Sequence, residues 1–353
     1  MNDSLLSKSV ISTRRAGLML ALILGALLVS VWFATCLGTT ETYSVGDVVR
    51  VVAAKAGLIS NLASDNQTTI IWELRLPRVA LALLVGAALA VAGALLQALF
   101  ENPMADSFVV GVSPGAALGG VIAASLGAEI SMGGLNTITL FAFGGALGTT
   151  ALVYLLAKRG SRVAVSLLLL TGMAVGSLAT AMVTLLLMRQ EASTLRGSMS
   201  WLFGSLANHG WVYVTALVPY VLLGIGVAIY YWRELNLLAL GEETAHHLGV
   251  PLERTKLVLL GTAALLAAAA VAVSGIIGFI GLIVPHITRK LLGPNHRLVL
   301  PGSVLLGGLL LLWADLLSRR LVVGEEVPIG VITSILGGLF FLGLLARTKS
   351  RLA

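Results

Sequence analysis

Charge is what this sequence lacks over long distances. Val79–Phe100, Val163–Met188, Trp211–Trp232, Leu257–Thr288, Leu298–Ala314 and Val327–Ala346 each run without one Asp, Glu, Lys or Arg. Only 11% of the 353 residues are charged, against roughly 25% in a soluble domain. The core of a bilayer is about 30 Å thick, and a helix needs about 20 apolar residues to cross it. A water-soluble domain is therefore excluded, and a polytopic membrane protein is expected. Cysteine is nearly absent too: the single Cys36 rules out a disulfide within the chain. No Gly-Lys dipeptide occurs, so a phosphate-binding loop of the form GxxxxGK[ST] is missing. HExxH and CxxC are missing as well. Redox or metal-assisted hydrolytic chemistry has nothing to stand on, and the chain is expected not to be an enzyme.

What is present fits a membrane bundle. Mean hydropathy is +0.98 and 58% of residues are hydrophobic. Forty glycines suit close helix packing where lipid removes the hydrophobic drive between helices. The net charge of +7 is read as basic loops on one side of a membrane, in contact with lipid, and not as nucleic-acid binding. The expected fold is all-α, with about ten transmembrane helices, and residues 1–353 form a single transmembrane domain. Spans are placed at 17–36, 76–100, 112–128, 136–157, 163–188, 211–231, 256–277, 280–293, 301–318 and 327–346. Arg14 and Arg15 precede the first, which is too long for a signal peptide followed by cleavage. Residues 38–72 are expected to be a polar loop.

Basic residues set the orientation. Arg14/Arg15, Lys158/Arg159/Arg162, Arg254/Lys256, Arg289/Lys290/Arg297 and Arg347/Lys349/Arg351 fall on one side, which the positive-inside rule makes cytoplasmic. Both termini are then inside, including the segment 1–15. Arg75, Arg78, Arg189, Arg196, Arg319 and Arg320 fall outside and need their own reason. Val91, Gly93, Pro103 and Gly111 recur at an offset of 182 as Val273, Gly275, Pro285 and Gly293. With spans two and seven running oppositely, that spacing points to an inverted repeat, as in many transporters.

Several interruptions carry possible mechanism. Glu101-Asn102-Pro103-Met104-Ala105-Asp106 breaks the apolar run and is either a cytoplasmic turn or a lining of the route's inner end. Ser274-Gly275-Ile276-Ile277-Gly278-Phe279 with Pro285-His286 is a second broken stretch. His286 is either a relay or a hydrogen-bonded bundle residue. Asp315, near the end of a span, is either functional or paired with Arg319 four residues on. The segment 236–255 contains Leu240-Gly241-Glu242-Glu243-Thr244-Ala245-His246-His247-Leu248-Gly249-Val250. It reads as a short helix ended by Gly249, and as either a solvated loop or a docking element.

Taken in order, these motifs resemble the FecCD permease family of ATP-binding-cassette importers. The resemblance runs from about residue 70 to near the end. It rests on Arg75-Leu76-Pro77-Arg78, Gly93 with Gln97, Asn102-Pro103-Met104-Ala105, Gly111-Val112-Ser113 with Gly115-Ala116, and Leu240–Val250. It continues through Gly278-Phe279-Ile280-Gly281-Leu282 with Pro285-His286, and Glu326-Val327-Pro328-Ile329-Gly330. The stretch Ala98–Pro103 is similar to vitamin B12 permeases, and is shared with haem and siderophore members. Asp106-Ser107 departs from the family, which often has proline second.

The resemblance implies a permease subunit carrying a metal chelate, either iron–siderophore or haem, or cobalamin, across the bacterial inner membrane. It implies a second copy of the chain, two cytoplasmic ATPase subunits that bind the ATP, and an extracytoplasmic substrate-binding protein; the chain itself holds no cofactor. It assigns Leu240, Gly241, Glu242, Glu243, Ala245, Leu248 and Gly249 to coupling with the ATPase. Asn102 and Met104, with Val165 and Ser166, form the inner gate, unless Asn102 only caps a helix. Arg75, Arg78 and Arg319 receive acids of the binding protein, unless they anchor helix ends at headgroups. The competing class is an ion-coupled secondary transporter, which needs mid-span ionisable residues. Spans one to eight show essentially none.

Overall fold

The computed structural model describes residues 13–38, 42–59, 64–127, 130–160, 162–207, 209–322 and 325–349. Most of the expected segment 1–15, and Arg351, lie outside them. Seven helices among these residues are long and apolar enough to cross a bilayer. They are α1 (Thr13–Cys36), the continuous helix ending in α4 (Leu76–Leu99), α6 (Thr137–Ala157), α7 (Val165–Leu187), α9 (Trp211–Tyr230), α12 (Leu252–Ser274) and α14 (His296–Arg320). Of the three remaining expected spans, two hold the shorter apolar helices α5 (Val112–Leu126) and α15 (Ile329–Lys349), and the third holds α13 (Ile280–Leu292), a 13-residue helix whose last turn carries Arg289 and Lys290. The fold is all-α. Its only strands among the described residues are the two-residue pair β1 (Lys158–Arg159) and β2 (Arg162–Val163), antiparallel with Lys158 opposite Val163.

Three stretches expected as loops contain helices. Residues 45–55 form α2, opened by a capping box in which Ser44 Oγ accepts from Asp47 N at 3.2 Å and Ser44 N donates to Asp47 Oδ2 at 2.9 Å. Ser44-x-x-Asp47 is the sequence signature of that device, within the segment expected as a polar loop. A second box at Ser64–Gln67 opens α3 (Asp65–Thr68). This runs through π-helical turns at Thr69–Arg75 into α4, so one continuous helix covers residues 65–99. Beyond α7, α8 (Ala192–Leu202) occupies part of the expected 189–210 loop. On the other side of α9, α10 (Trp232–Leu238) and α11 (Glu242–His247) fill the connection to α12.

Helices α4 and α12 form the centre. In α4 83% of the most apolar window is buried and in α12 78%, against 11% in α1. Their neighbours correspond: α4 packs on α14 and α13, and α12 packs on α6 and α5. Pairing α4 with α12, α5 with α13 and α6 with α14 therefore relates the two halves, element by element. The 182-residue register is corrected by this arrangement. Gly93 lies inside α4 whereas Gly275 follows the end of α12, and Gly111 opens α5 whereas Gly293 closes α13. Glycine and proline are frequent enough here to match by offset without matching in place.

Backbone contact sets the closest approaches. A Cβ on Gly93 would fall on the Gly281 carbonyl, and one on Gly86 on the Gly307 carbonyl. The first joins α4 to α13 and the second α4 to α14. Before α13 the chain is non-helical at Gly275–Gly278, and Phe279 is left-handed with φ 67°. Inside α13, Pro285 has no N–H to return to the Gly281 carbonyl one turn earlier, and Gln97 Nε2 donates to that carbonyl at 3.0 Å and to the Leu282 carbonyl at 3.3 Å. Arg289 in turn donates to Gln97 Oε1.

Candidate functional site

The helix ends form two faces. The C-terminal end of α1 meets the starts of α4 and α15 and the end of α14 on one of them, called here the arginine face. The start of α1, the end of α15 and the α10–α11 segment belong to the other, the terminal face.

On the arginine face, Arg78 stands in the first turn of α4. Its Nε lies 2.9 Å from Asp315 Oδ1, and its Nη1 and Nη2 grip Glu326 Oε1 and Oε2 at 2.9 and 3.0 Å. That is the bidentate fork for which a guanidinium is shaped. Asp315 Oδ2 accepts from Arg319 Nη2. Asp315 is 0% exposed and lies between two guanidinium groups, the pairing that a buried carboxylate requires. Both open readings of Asp315 thus resolve toward the ion pair, with Arg78 as a second partner. Arg75 is held separately: its Nη1 donates to the Thr35 and Cys36 carbonyls at 3.0 and 2.9 Å, at the C-terminal end of α1. Its guanidinium carbon lies 4.7 Å from the Tyr43 ring centroid. Cations at a helix C-terminus complement its dipole. Arg320 Nη2 donates to the Gly38 carbonyl at 3.2 Å. Arg75, Arg78 and Arg319 are all buried within the chain, a feature their spacing did not reveal.

On the terminal face, Leu240-Gly241 leads into α11. Gly241 has φ 101° and a Cβ there would meet nothing within 4 Å. Within this chain its need for glycine is conformational, not steric. Gly249 is left-handed at φ 86°, and Val250 N donates to the Ala245 carbonyl at 3.1 Å while Gly249 N donates to that of His246 at 2.9 Å. This Schellman closure is the glycine stop expected from sequence. Ala245 is buried, while Leu240 and Leu248 are exposed by 63% and 58%; Glu243, His246 and His247 are exposed beside them.

The α11 helix is tied to two other segments. Its first amide, Glu242 N, donates to Glu101 Oε1 at 3.2 Å. Lys256, in the start of α12, reaches Glu242 Oε2 at 2.6 Å and the Val163 carbonyl at 3.4 Å. Val163 N donates to Glu253 Oε2 at 2.9 Å. Glu101, Lys256 and Glu253 were not singled out from sequence as site residues. The charged opening Glu253-Arg254-Thr255-Lys256 of an otherwise apolar helix is the signal that could have found two of them.

Asn102 Oδ1 accepts from Met104 N at 2.9 Å, which stabilises the turn at Pro103 rather than capping a helix. Among the described residues no hydrogen bond joins Asn102 or Met104 to Val165 or Ser166. The contact that is seen lies further along both segments, where Gly172 of α7 meets the Val109 carbonyl in the 3₁₀ turn Ser107–Val110. Asp106 Oδ1 accepts from Ser107 N at 2.6 Å. It contributes to the lining of a largely apolar cavity of about 590 Å³ between the segment 276–282, Phe203 and the start of α15. His286 Nε2 has no hydrogen-bond partner among the described residues, and the ring lies edge-on to Phe340 at 5.8 Å. Gly111-Val112-Ser113-Pro114-Gly115 has the form GxSxG, yet Ser113 is buried in the first turn of α5 with no strand before it, unlike a nucleophile elbow. No group of three His, Cys, Asp or Glu among the described residues could hold a metal.

Comparison with known proteins agrees with this architecture. Residues 18–347 match the FecCD transport family. The chain is 45% identical over 287 residues to the cobalamin import system permease protein BtuC of Halobacterium salinarum, covering 81% of this chain and 76% of that one. It is 42% identical to the hemin transport system permease protein HmuU of Yersinia pestis, covering 82% and 87%. It is 38% identical to the Fe(3+)-citrate import system permease protein YfmD of Bacillus subtilis, covering 81% and 84%. A solved metal-chelate type ABC transporter in an inward-facing conformation superposes with a TM-score of 0.81 at 30% identity, covering 93% of this chain and 99% of that one. This chain therefore belongs to the FecCD transport family and is a permease subunit of an ATP-binding-cassette importer.

Proposed function

We propose that the permease imports a metal chelate, of the iron–siderophore, haem or cobalamin kind, across a bacterial inner membrane. It does so as a homodimer, with the terminal face cytoplasmic and each copy seated on one of two ATPase subunits that hold the ATP. The observation that carries this reading is α11. A short helix carries exposed Glu243 between exposed Leu240 and Leu248 that flank its two ends, is fixed to the bundle by Glu242, and belongs to a chain with no nucleotide-binding motif. Such a surface suits a partner that supplies the energy. The relatives' names supply the cargo class, since those proteins import cobalamin, hemin and ferric citrate.

Leu240, Gly241, Glu242, Glu243, Ala245, Leu248 and Gly249 form the coupling element. Asn102 and Met104 with Val165 and Ser166 close the inner end of the route by side-chain contact and dewetting, without coordinating an ion. The arginine face receives the substrate-binding protein. There Arg78 already grips Glu326, so an incoming carboxylate shares or displaces that partner. The test is transport in proteoliposomes containing the chain, its ATPase and its cargo-loaded binding protein. Uptake driven by ATP, and unaffected by collapse of ion gradients, is expected. Uptake that follows an imposed ion gradient without ATP would establish the secondary-transporter reading instead.

A further inference from the structure

The terminal face contains an arrangement that the family comparison does not assign. Helix α11 is continuous in sequence only with α10 and α12. The residues given the inner gate, Asn102 and Met104 with Val165 and Ser166, lie far from it along the chain. Polar side chains nonetheless tie α11 to both. Glu101 accepts from the first amide of α11, one residue before Asn102. Lys256 bridges the Glu242 carboxylate and the Val163 carbonyl, two residues before Val165. Glu253 takes the amide of the same Val163, so both backbone groups of that residue are anchored to the start of α12.

We infer that Lys256 and Glu101 are positioning residues that carry the displacement of α11 to the two gate segments. Three features support this. Lys256 is 5% exposed, and a buried ammonium holds its place only while its carboxylate and carbonyl partners stay with it. Moving Glu242 therefore moves Lys256 and Val163, or breaks a charge-assisted bond. Second, α11 is bounded by Gly241 and Gly249, both at positive φ and both with open space where a Cβ would be. These two points let a six-residue helix tilt as a unit. Third, α10 is fixed on the far side: Asn236 Oδ1 accepts from His296 N at 2.8 Å, and its Nδ2 donates to Asn295 Oδ1 at 3.0 Å. A tilt of α11 is thus directed toward Glu101 and Val163, and not absorbed by α10.

The inference rests on the import reading above, and its test separates the two. The complete transporter in proteoliposomes is assayed for ATP hydrolysis and cargo uptake together. Lys256→Met is expected to retain hydrolysis while uptake per ATP falls about fivefold or more, the low end of coupling between linked sites. Lys256→Arg is expected to keep most of the ratio, a rescue that loss of packing alone would not give. An unchanged ratio in Lys256→Met overturns the relay and leaves the import reading standing. Absence of ATP-driven uptake in the unmodified transporter overturns both. Should Lys256→Met fail to assemble, spin labels at His247→Cys and Ala164→Cys in a Cys36→Ser background test the same idea with Lys256 intact. Their separation is expected to stay fixed between nucleotide-free and ATP-bound states. A change of more than about one helical turn, 5.4 Å, shows the two ends moving independently and overturns the relay.

Discussion

At the scale of single residues, the arginine face shows how burial changes what a charge can do. Three arginines on an outer face read as free hands. In the folded chain Arg78 and Arg319 instead share Asp315, and Arg78 also holds Glu326. Deleting Asp315 leaves two guanidinium groups buried with one acid fewer. Asp315→Ala is expected to cost about 3–5 kcal/mol, the usual penalty for removing one member of a buried pair, measured as a lower midpoint of thermal unfolding in nanodiscs. An unchanged midpoint would mean that water or lipid reaches these groups. Glu326 is different, because its side chain is partly exposed. Glu326→Gln weakens the internal grip on Arg78, so the apo transporter is expected to bind its binding protein more tightly if Arg78 is a docking residue. Equal or weaker binding, read by surface-immobilised titration at low salt, would assign Arg78 to the internal network alone. The Ser44–Asp47 cap yields a pH prediction. The Ser44 hydroxyl, followed by the Ser44 amide, lowers the Asp47 carboxyl below its usual value. A folded value below the unfolded one means that the cap's contribution is complete above about pH 4 and is lost as pH falls through the folded value. Amide exchange in α2, corrected for intrinsic rates, should therefore be flat from pH 5 to 8. A step in protection within that interval would refute the cap assignment.

At the scale of elements, the bundle is organised by backbones in contact. Gly93 on α4 meets Gly281 at the start of α13, and no side chain fits between them. Gly93→Leu forces the two apart, and overpacking of this kind costs about 1–3 kcal/mol or more. Because Gln97 of α4 donates to the Gly281 and Leu282 carbonyls in the first turn of α13, separation also strips those bonds. The expected outcome is poor recovery of monodisperse protein by size-exclusion chromatography, with Gly144→Leu, where a Cβ meets nothing within 4 Å, recovered normally. Equal recovery of both would show that the α4–α13 contact is not tight. The spans were legible because an apolar run of bilayer length has one physical solution. Helices α2 and α8 were not, since short amphipathic helices resting on a bundle share their composition with polar loops. The repeat was legible only as a tendency, because its halves match in packing and not in residue register.

For the molecule as a whole, orientation is the property on which the functional reading turns. With Cys36→Ser as background, His247→Cys is expected to react with an impermeant maleimide only after the cells are permeabilised. Glu191→Cys, beyond the other end of α7, is expected to react in intact outer-membrane-stripped cells. The reverse pattern would invert the bundle and place α11 away from any cytoplasmic ATPase. The sequence by itself determined the membrane class, the long apolar spans, the glycine-ended helix α11 and the absence of a nucleotide motif. These follow from local composition and spacing, which bilayer thickness and backbone geometry convert directly into structure. Only the tertiary structure decided that Arg78 faces Asp315 and Glu326, that Lys256 joins Glu242 to Val163, and that Glu101 reaches α11. Each of these pairs brings together groups separated by 14 to 248 positions in the chain. A buried charge selects its partner by proximity after packing, and no periodicity in the sequence records which partner that will be.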